Sequence, residues 1–172
     1  PTSVHWHGIR IDNTMDGVSG LTQTAVPSGE HFDYDFVVPD AGTFWRVIQE
    51  YGVKTLFTAP TAIRAIKKED PNGGFKAQYP TPSLQYLFLA GERTDAATYA
   101  WAKELLDVHV IDNWWQTESG WPMLSQMPAY GLIPVKPGSA TRPVCGYDLQ
   151  IIGKDNKVLG PNEEGAVCIK LP

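Results

Sequence analysis

Hydrophobic and polar positions follow two different periods along this chain, and the change falls near residue 43. Residues 3–11 and 32–38 alternate with a period of two, which is typical of antiparallel strands with one buried face. Glycine- and proline-rich turns separate these two segments. The first part of the chain is therefore predicted to be a short all-β segment.

Beyond residue 43 the apolar positions predict helices that alternate with strands. Four apolar residues share the first predicted helical face: Phe44, Val47, Ile48 and Tyr51. Gly52 ends that helix, and Pro60 and Asp95 are suited to begin two more. Three apolar runs predict strands: 53–58, 84–90 and 108–111. This alternation indicates an α/β domain with a parallel sheet covered by helices.

The last part of the chain changes character again. Residues 145–152 and 166–170 predict strands on either side of a turn, which indicates a small β subdomain. Cys145 and Cys168 lie in these strands, where they could pair or could be two separate buried thiols. The predicted organisation has three parts: 1–45, 46–130 and 131–172.

Charge separates the first of these parts from the others. Residues 1–45 hold one basic and six acidic residues, whereas residues 46–172 hold equal numbers of each, so the whole net charge of −5 lies in the first part. We expect no nucleic-acid partner because no basic run is present, and no membrane span because no apolar run is long enough. The sequence begins at Pro1 with no initiator methionine and no leader-like segment, so we expect it to be a piece of a longer protein.

Two of the predicted strands end in polar loops. Residues 91–93 follow the second strand, and residues 112–120 follow the third. The carboxyl ends of parallel strands meet at one edge of a sheet, where glycine, hydroxyl, carboxylate and indole groups together suit a nucleotide phosphate and its metal. The alternative is that Trp114 and Trp115 are packing residues and that Glu118 is a solvated loop acid.

Residues 39–172 resemble the short-chain acyl-CoA synthetases of the adenylate-forming, AMP-binding superfamily, in particular propionyl-CoA and acetyl-CoA synthetases. The matching phrases are PDAGTFWRVI, LFTAPTAIRAIKKED, YLFLAGERTD, WWQTESGWP and KPGSATRPVCGYD. Residues 88–93 and Pro122 look more like the propionyl branch, and Ser119 stands where that family usually has threonine.

The resemblance implies a nucleotide site made of nine residues: Gly91, Glu92, Arg93, Asp112, Asn113, Trp114, Trp115, Gln116 and Thr117. Residues 91–93 would lie along the adenine, and Thr117 would contact the α-phosphate. Glu118 would bind Mg²⁺, and Trp115 would close the acyl pocket.

The same resemblance implies a reaction with ATP, Mg²⁺ and CoA on a small carboxylate, propionate or acetate, that passes through an acyl-adenylate to an acyl-CoA. This acid–thiol ligase reaction would be cytoplasmic. The family's phosphate loop and catalytic lysine are not found in the sequence, so we expect no turnover from this chain alone.

A second resemblance lies in residues 1–45. His5 and His7 are two residues apart, so on a strand they would share one face, and imidazole is a good copper ligand. The phrase HWHG resembles the first copper motif of the amino-terminal cupredoxin domain of multicopper oxidases, which would give His5 and His7 as copper ligands in an exported parent. The next expected ligands are replaced by residues 46–49, and His31 and His109 are interpreted as structural.

The two resemblances overlap at residues 39–45, which suggests a chimera of pieces from two unrelated genes. Three hypotheses therefore remain for function: a synthetase fragment, an oxidase fragment that binds copper, and an inert fusion of the two. The oligomeric state is left open.

Overall fold

A parallel three-stranded sheet carries the candidate site. The strands are β1 (Thr55–Thr58), β2 (Tyr86–Leu89) and β3 (His109–Asp112), paired in the order β1-β2-β3. The computed structural model describes residues 1–5, 12–35 and 40–170. The prediction of an α/β fold with a parallel sheet is confirmed.

The chain forms two compact units, Pro1–Thr43 and Phe44–Pro172. The second unit contains the parallel sheet together with an antiparallel pair, β4 (Asp148–Ile152) and β5 (Ala166–Lys170). That pair lies where the sequence predicts a small β subdomain. The predicted boundaries at residues 45 and 130 stay predictions.

In the described residues, four α-helices connect or precede the strands: α1 (Thr43–Tyr51), α2 (Pro60–Glu69), α3 (Gly74–Gln78) and α4 (Ala96–Leu106). Pro60 begins α2. Proline lacks a backbone N–H group, and this costs nothing in the first turn of a helix because N–H groups there have no partner within the helix. Asp95 caps α4, because its Oδ1 accepts the backbone N–H of Thr98 at 2.8 Å. Helices α2 and α4 contact each other, and α4 contacts β3.

Burial in β2 alternates as a period of two requires. Leu87 and Leu89 are fully buried, whereas Tyr86 and Phe88 on the other face are partly exposed. Ile63, Ile66 and Tyr99 of the two contacting helices are also buried. One face of the sheet therefore carries the apolar core, and the other remains partly open.

The buried face of α1 differs from the prediction. Trp45 and Ile48 are buried, whereas Tyr51, which the sequence pattern places on the buried face, is 61% exposed. At 100° per residue, burying Trp45 and Ile48 rotates the centre of the inward face by roughly 80° from the centre of the predicted stripe. The helix is therefore oriented by its largest apolar side chain rather than by the most regular apolar repeat.

The first unit differs more from its prediction. Residues 3–5 and 32–35 are not in strands, and the rest of both predicted strands lies outside the described residues. Thr2 and Val26 form one antiparallel bridge, with N–O distances of 3.0 and 2.8 Å, and Asn13–Met15 is a 3₁₀ helix. The cupredoxin resemblance gains no support from these residues.

Cys145 and Cys168 are both free thiols. The cysteines are therefore unpaired, but neither is the buried thiol that the sequence also allows: Cys145 is exposed in a turn before β4, and Cys168 is half-buried in β5. Among the described residues, no helix has the length and apolar character needed to cross a lipid bilayer.

Candidate functional site

A cavity of about 610 Å³ opens beyond the carboxyl ends of β2 and β3. It brings together eight of the nine residues predicted to bind nucleotide: Gly91, Glu92, Arg93, Asp112, Asn113, Trp114, Trp115 and Gln116. The ninth, Thr117, lines an adjacent cavity of about 360 Å³ that shares Gly91, Trp115 and Gln116 with the first. The two polar loops therefore meet at one edge of the sheet.

Asp112 supplies a buried carboxylate to the main cavity. It is the last residue of β3, is 6% exposed, and accepts the backbone N–H of Thr94 on Oδ2 at 3.3 Å. Burial raises the pKa of the Asp112 carboxyl above its ordinary value, and the Thr94 hydrogen bond opposes this in part. A carboxylate held at such a cost is a strong acceptor for a donor group on a ligand.

Asn113 supplies a second acceptor at the same place. Its backbone N–H and its Nδ2 both donate to the Leu89 carbonyl, at 2.8 and 2.9 Å, which fixes the side chain against β2. Its Oδ1 is buried and has no hydrogen-bond partner within the described part of the chain. A buried acceptor of this kind is costly unless something donates to it, so Asn113 is suited to meet a ligand N–H group.

The loop of residues 136–140 forms another wall of the cavity. Arg93 donates from Nε to the Gly138 carbonyl at 3.1 Å, and Gly138 and Ala140 both line the cavity. This loop begins the phrase KPGSATRPVCGYD, which carries part of the family resemblance but contains no predicted site residue. Its place in the wall depends on one contact between residues 45 positions apart, which no local pattern could reveal.

Replacing Gly138 by alanine is expected to lower the free energy of unfolding by about 2–3 kcal/mol. A Cβ at Gly138 would lie 2.8 Å from Arg93 Nε, and the φ of +79° is unfavourable for alanine. Gly146→Ala is the matched control, because Gly146 has φ +95° but no atom from the described part of the chain within 4 Å of its Cβ position. Urea unfolding followed by tryptophan fluorescence measures both variants. Equal losses of unfolding free energy in the two variants would show that Arg93 yields to the added Cβ, so that its contact does not hold the loop.

The segment of residues 114–120, which lies beside the cavity, ends in a tight turn. Thr117–Ser119 forms a 3₁₀ helix, in which the Ser119 hydroxyl accepts the Gln116 N–H at 3.1 Å and donates to the Gln116 carbonyl at 2.7 Å. Tyr147 Oη donates to the Ser119 carbonyl at 3.0 Å. Serine therefore supplies the hydroxyl that this turn uses, and Glu118 is left exposed to solvent.

The two tryptophans of this segment are held differently. The Trp114 backbone pairs with Leu124, whose carbonyl accepts the Trp114 N–H at 2.9 Å. Trp115 is 37% exposed and lines both the main and the adjacent cavity. Trp115 therefore offers an indole surface to a ligand and is not a core packing residue.

A second cavity of about 550 Å³ has mainly apolar walls. Its larger apolar lining residues are Phe57, Phe88, Trp121, Met127, Tyr130 and Val144. Asn113 lines both this cavity and the first. Phe57 and Phe88 belong to the open face of the parallel sheet, so this cavity continues that face.

The histidines form no recognisable metal centre in the described residues. His5 Nδ1 lies 3.1 Å from Asp16 Oδ1, and His7 lies outside the described residues. His109, predicted to lie in an apolar strand, is exposed and stacks on Tyr86 with ring centres 5.7 Å apart. Within residues 1–5, 12–35 and 40–170, no three His, Cys, Asp or Glu residues are arranged to hold a metal ion. The copper hypothesis stays a prediction.

Buried acceptors and an indole surface at the carboxyl edge of a parallel α/β sheet are typical of nucleotide-binding domains. Comparison with known proteins gives the family: the chain belongs to the AMP-binding enzymes, whose family model matches residues 22–172. The matched range begins inside the segment of residues 1–45. The resemblance of the longer segment to this superfamily is thus confirmed.

Individual relatives agree with this family. An uncharacterised protein of Pseudomonas aeruginosa is 48% identical over 136 residues, which are 78% of this chain and 21% of that protein. The propionate–CoA ligase of Salmonella typhimurium is 41% identical over 135 residues, again 78% of this chain and 21% of the ligase. This chain therefore spans about a fifth of the length of these relatives.

A solved structure supports the fold. The crystal structure of an anthranilate CoA ligase in complex with anthranoyl-AMP superposes with a TM-score of 0.62 at 28% identity. The superposition covers 74% of this chain and 23% of the ligase. The α/β fold is thus shared with an adenylate-forming enzyme.

Proposed function

We propose that this chain forms part of the nucleotide-binding domain of a short-chain acyl-CoA synthetase. In the proposed reaction a propionate or acetate oxygen attacks the α-phosphorus of ATP, and pyrophosphate leaves. The CoA thiol then attacks the acyl carbon, AMP leaves, and the thiol proton passes to solvent. The observation that carries the proposal is the meeting of eight predicted nucleotide residues around one cavity.

The donor and acceptor chemistry of the cavity fits an adenine nucleotide. The exocyclic amine of adenine is a hydrogen-bond donor. Both Asp112 and Asn113 Oδ1, which has no hydrogen-bond partner among the described residues, are acceptors. Trp115 offers a flat apolar surface for a ring. The volume of about 610 Å³ lies within the range of small-molecule sites.

The phosphates and their metal would lie towards the 3₁₀ helix of Thr117–Ser119. The Thr117 hydroxyl can donate to a phosphate oxygen, and the exposed Glu118 carboxylate is a ligand type that Mg²⁺ prefers, together with phosphate oxygens and water. A bound Mg²⁺ would neutralise phosphate charge, which favours the approach of the carboxylate substrate. Trp115 would limit the space beside the reacting groups.

Glu118→Gln is expected to weaken Mg·ATP binding about tenfold while ATP binding without Mg²⁺ changes little. The wild-type chain should show a saturable rise in Tm with Mg·ATP, which for a ligand at 100 times its Kd corresponds to about 2.7 kcal/mol. Glu164→Gln removes an exposed acid that lines neither of the two nucleotide cavities and is the control. No saturable rise in the wild-type chain would contradict the proposed function and favour the inert fusion.

A further inference from the structure

The turn of residues 91–93, which joins β2 to α4, is tied to α2 through the side chain of Glu92. Arg64 Nη2 lies 2.6 Å from Glu92 Oε2, and the Thr61 hydroxyl donates to Glu92 Oε1. Arg64 Nη2 also donates to Thr61 Oγ1 at 3.1 Å. These three side chains form a closed triangle, in which both carboxylate oxygens of Glu92 have protein partners.

Arg64 extends this triangle to the start of α4. Its Nη1 lies 3.4 Å from Oδ2 of Asp95, the residue that caps α4. The planar guanidinium contacts the two carboxylates from two nitrogens held in a fixed fork, a geometry that the single rotatable ammonium of lysine does not provide. Hydrogen bonding to Glu92 raises the pKa of Arg64 above its ordinary value, so the guanidinium stays charged. Arg64 thus connects α2, the turn and α4.

The other side of the turn is tied to a different part of the chain. Arg93 donates from Nε to the Gly138 carbonyl at 3.1 Å. Gly91 has φ +99°, and no atom of the described residues lies within 4 Å of its Cβ position, so this part of the chain leaves open space beside it. The side chains of Glu92 and Arg93 both have protein partners. The groups of this turn that remain available to a ligand in the cavity are therefore its peptide groups and Gly91.

We propose that Arg64 is a positioning residue for the nucleotide site: it holds Glu92 so that the backbone of residues 91–93, and not the Glu92 carboxylate, meets the nucleotide. This inference rests on the proposed function. Arg64 itself does not line the cavity. Because Arg64 and Glu92 act through one contact, losing either partner releases the same turn, and losing both should do little more.

A double-mutant cycle of Arg64→Met and Glu92→Ala tests this. Binding of Mg·ATP and of Mg·GTP is followed by tryptophan fluorescence, and amide hydrogen exchange of residues 91–94 is measured on the free full chain. Arg64→Lys keeps the positive charge but loses the planar geometry of the guanidinium donors. Lys68→Met is the control, because it removes a charge from an exposed position of the same helix.

Each single variant should weaken binding of both nucleotides by a similar factor, about three- to tenfold, with the double variant no weaker than that. Arg64→Lys should lie between the wild type and Arg64→Met, and Lys68→Met should match the wild type. Exchange at residues 91–94 should accelerate equally in both single variants and the double.

Two results would overturn the inference. Additive losses, or a Glu92→Ala change in the ATP-to-GTP affinity ratio that Arg64→Met does not share, would show that the carboxylate itself contacts the base. Unchanged amide exchange in Arg64→Met would show that Arg64 does not hold the turn, whatever the nucleotide does. A wild-type chain that binds neither nucleotide overturns the proposed function instead, and amide exchange then decides the anchoring separately.

Discussion

Leu87→Ala is expected to lower the free energy of unfolding of this chain by about 2–5 kcal/mol. Leu87 is fully buried in the central strand β2, between β1 and β3, so truncation leaves a cavity that the sheet backbone cannot close. A loss of this size is a large part of the stability of a typical domain. Urea unfolding followed by tryptophan fluorescence gives the value.

The control is Phe57→Ala in the neighbouring strand. Phe57 loses more atoms than Leu87 on truncation, but it is 55% exposed, so the expected cost is below about 1 kcal/mol. If Phe57→Ala cost more than Leu87→Ala, the assignment of the buried and open faces of the sheet would be reversed.

Asp112→Asn is expected to make the chain more stable at pH 7 by about 0.5–1 kcal/mol while weakening Mg·ATP binding about tenfold. Burial raises the pKa of Asp112 in the folded state, so its stabilising contribution is present below the unfolded pKa of about 3.9 and is lost as pH rises through the folded pKa. Asparagine keeps an oxygen for the Thr94 N–H but has no proton to lose. The gain over the wild type should therefore grow from pH 4 to pH 7.

Asp95→Asn provides a comparison of opposite sign. Hydrogen bonds from Thr98, and more weakly Arg64, lower the pKa of Asp95 to about 2, so its contribution is present above the unfolded pKa and lost as pH falls towards 2. The variant should be less stable than the wild type at pH 7 by less than about 1 kcal/mol, because the group is exposed and screened. Urea titrations at pH 3, 4 and 7 measure both variants. Parallel pH profiles for the two would contradict the assignment.

The regular elements after residue 43 could be predicted because local signals agree there. Asp95 caps α4, Pro60 begins α2, and the apolar runs become β1 to β3. Helix α3 could not be predicted, because its start at Gly73-Gly74 has the composition of a turn. It is held instead by Asp70, whose carboxylate accepts the N–H groups of Gly74 and Phe75 at 2.7 and 2.9 Å.

The site was predictable to the extent that sequence neighbours form it. The two polar loops could be placed at one sheet edge because parallel strands share a direction. Leu124, Gly138, Ala140 and Val167 also line the main cavity, but they come from three other segments, and no periodicity marks them. The roles of Thr117 and Glu118 stay predictions, as do the copper ligands His5 and His7.

The open face of the parallel sheet has a consequence for the chain's behaviour at different salt concentrations. Phe57, Trp121 and Tyr130 leave apolar surface in contact with water, whereas the net charge of −5, which residues 1–45 carry, makes whole copies of the chain repel one another. The screening length of electrostatic repulsion between copies is about 8 Å at physiological ionic strength and about 3 Å at 1 M salt. Apolar attraction is not screened in this way, so concentrated salt favours association of the chain through that face.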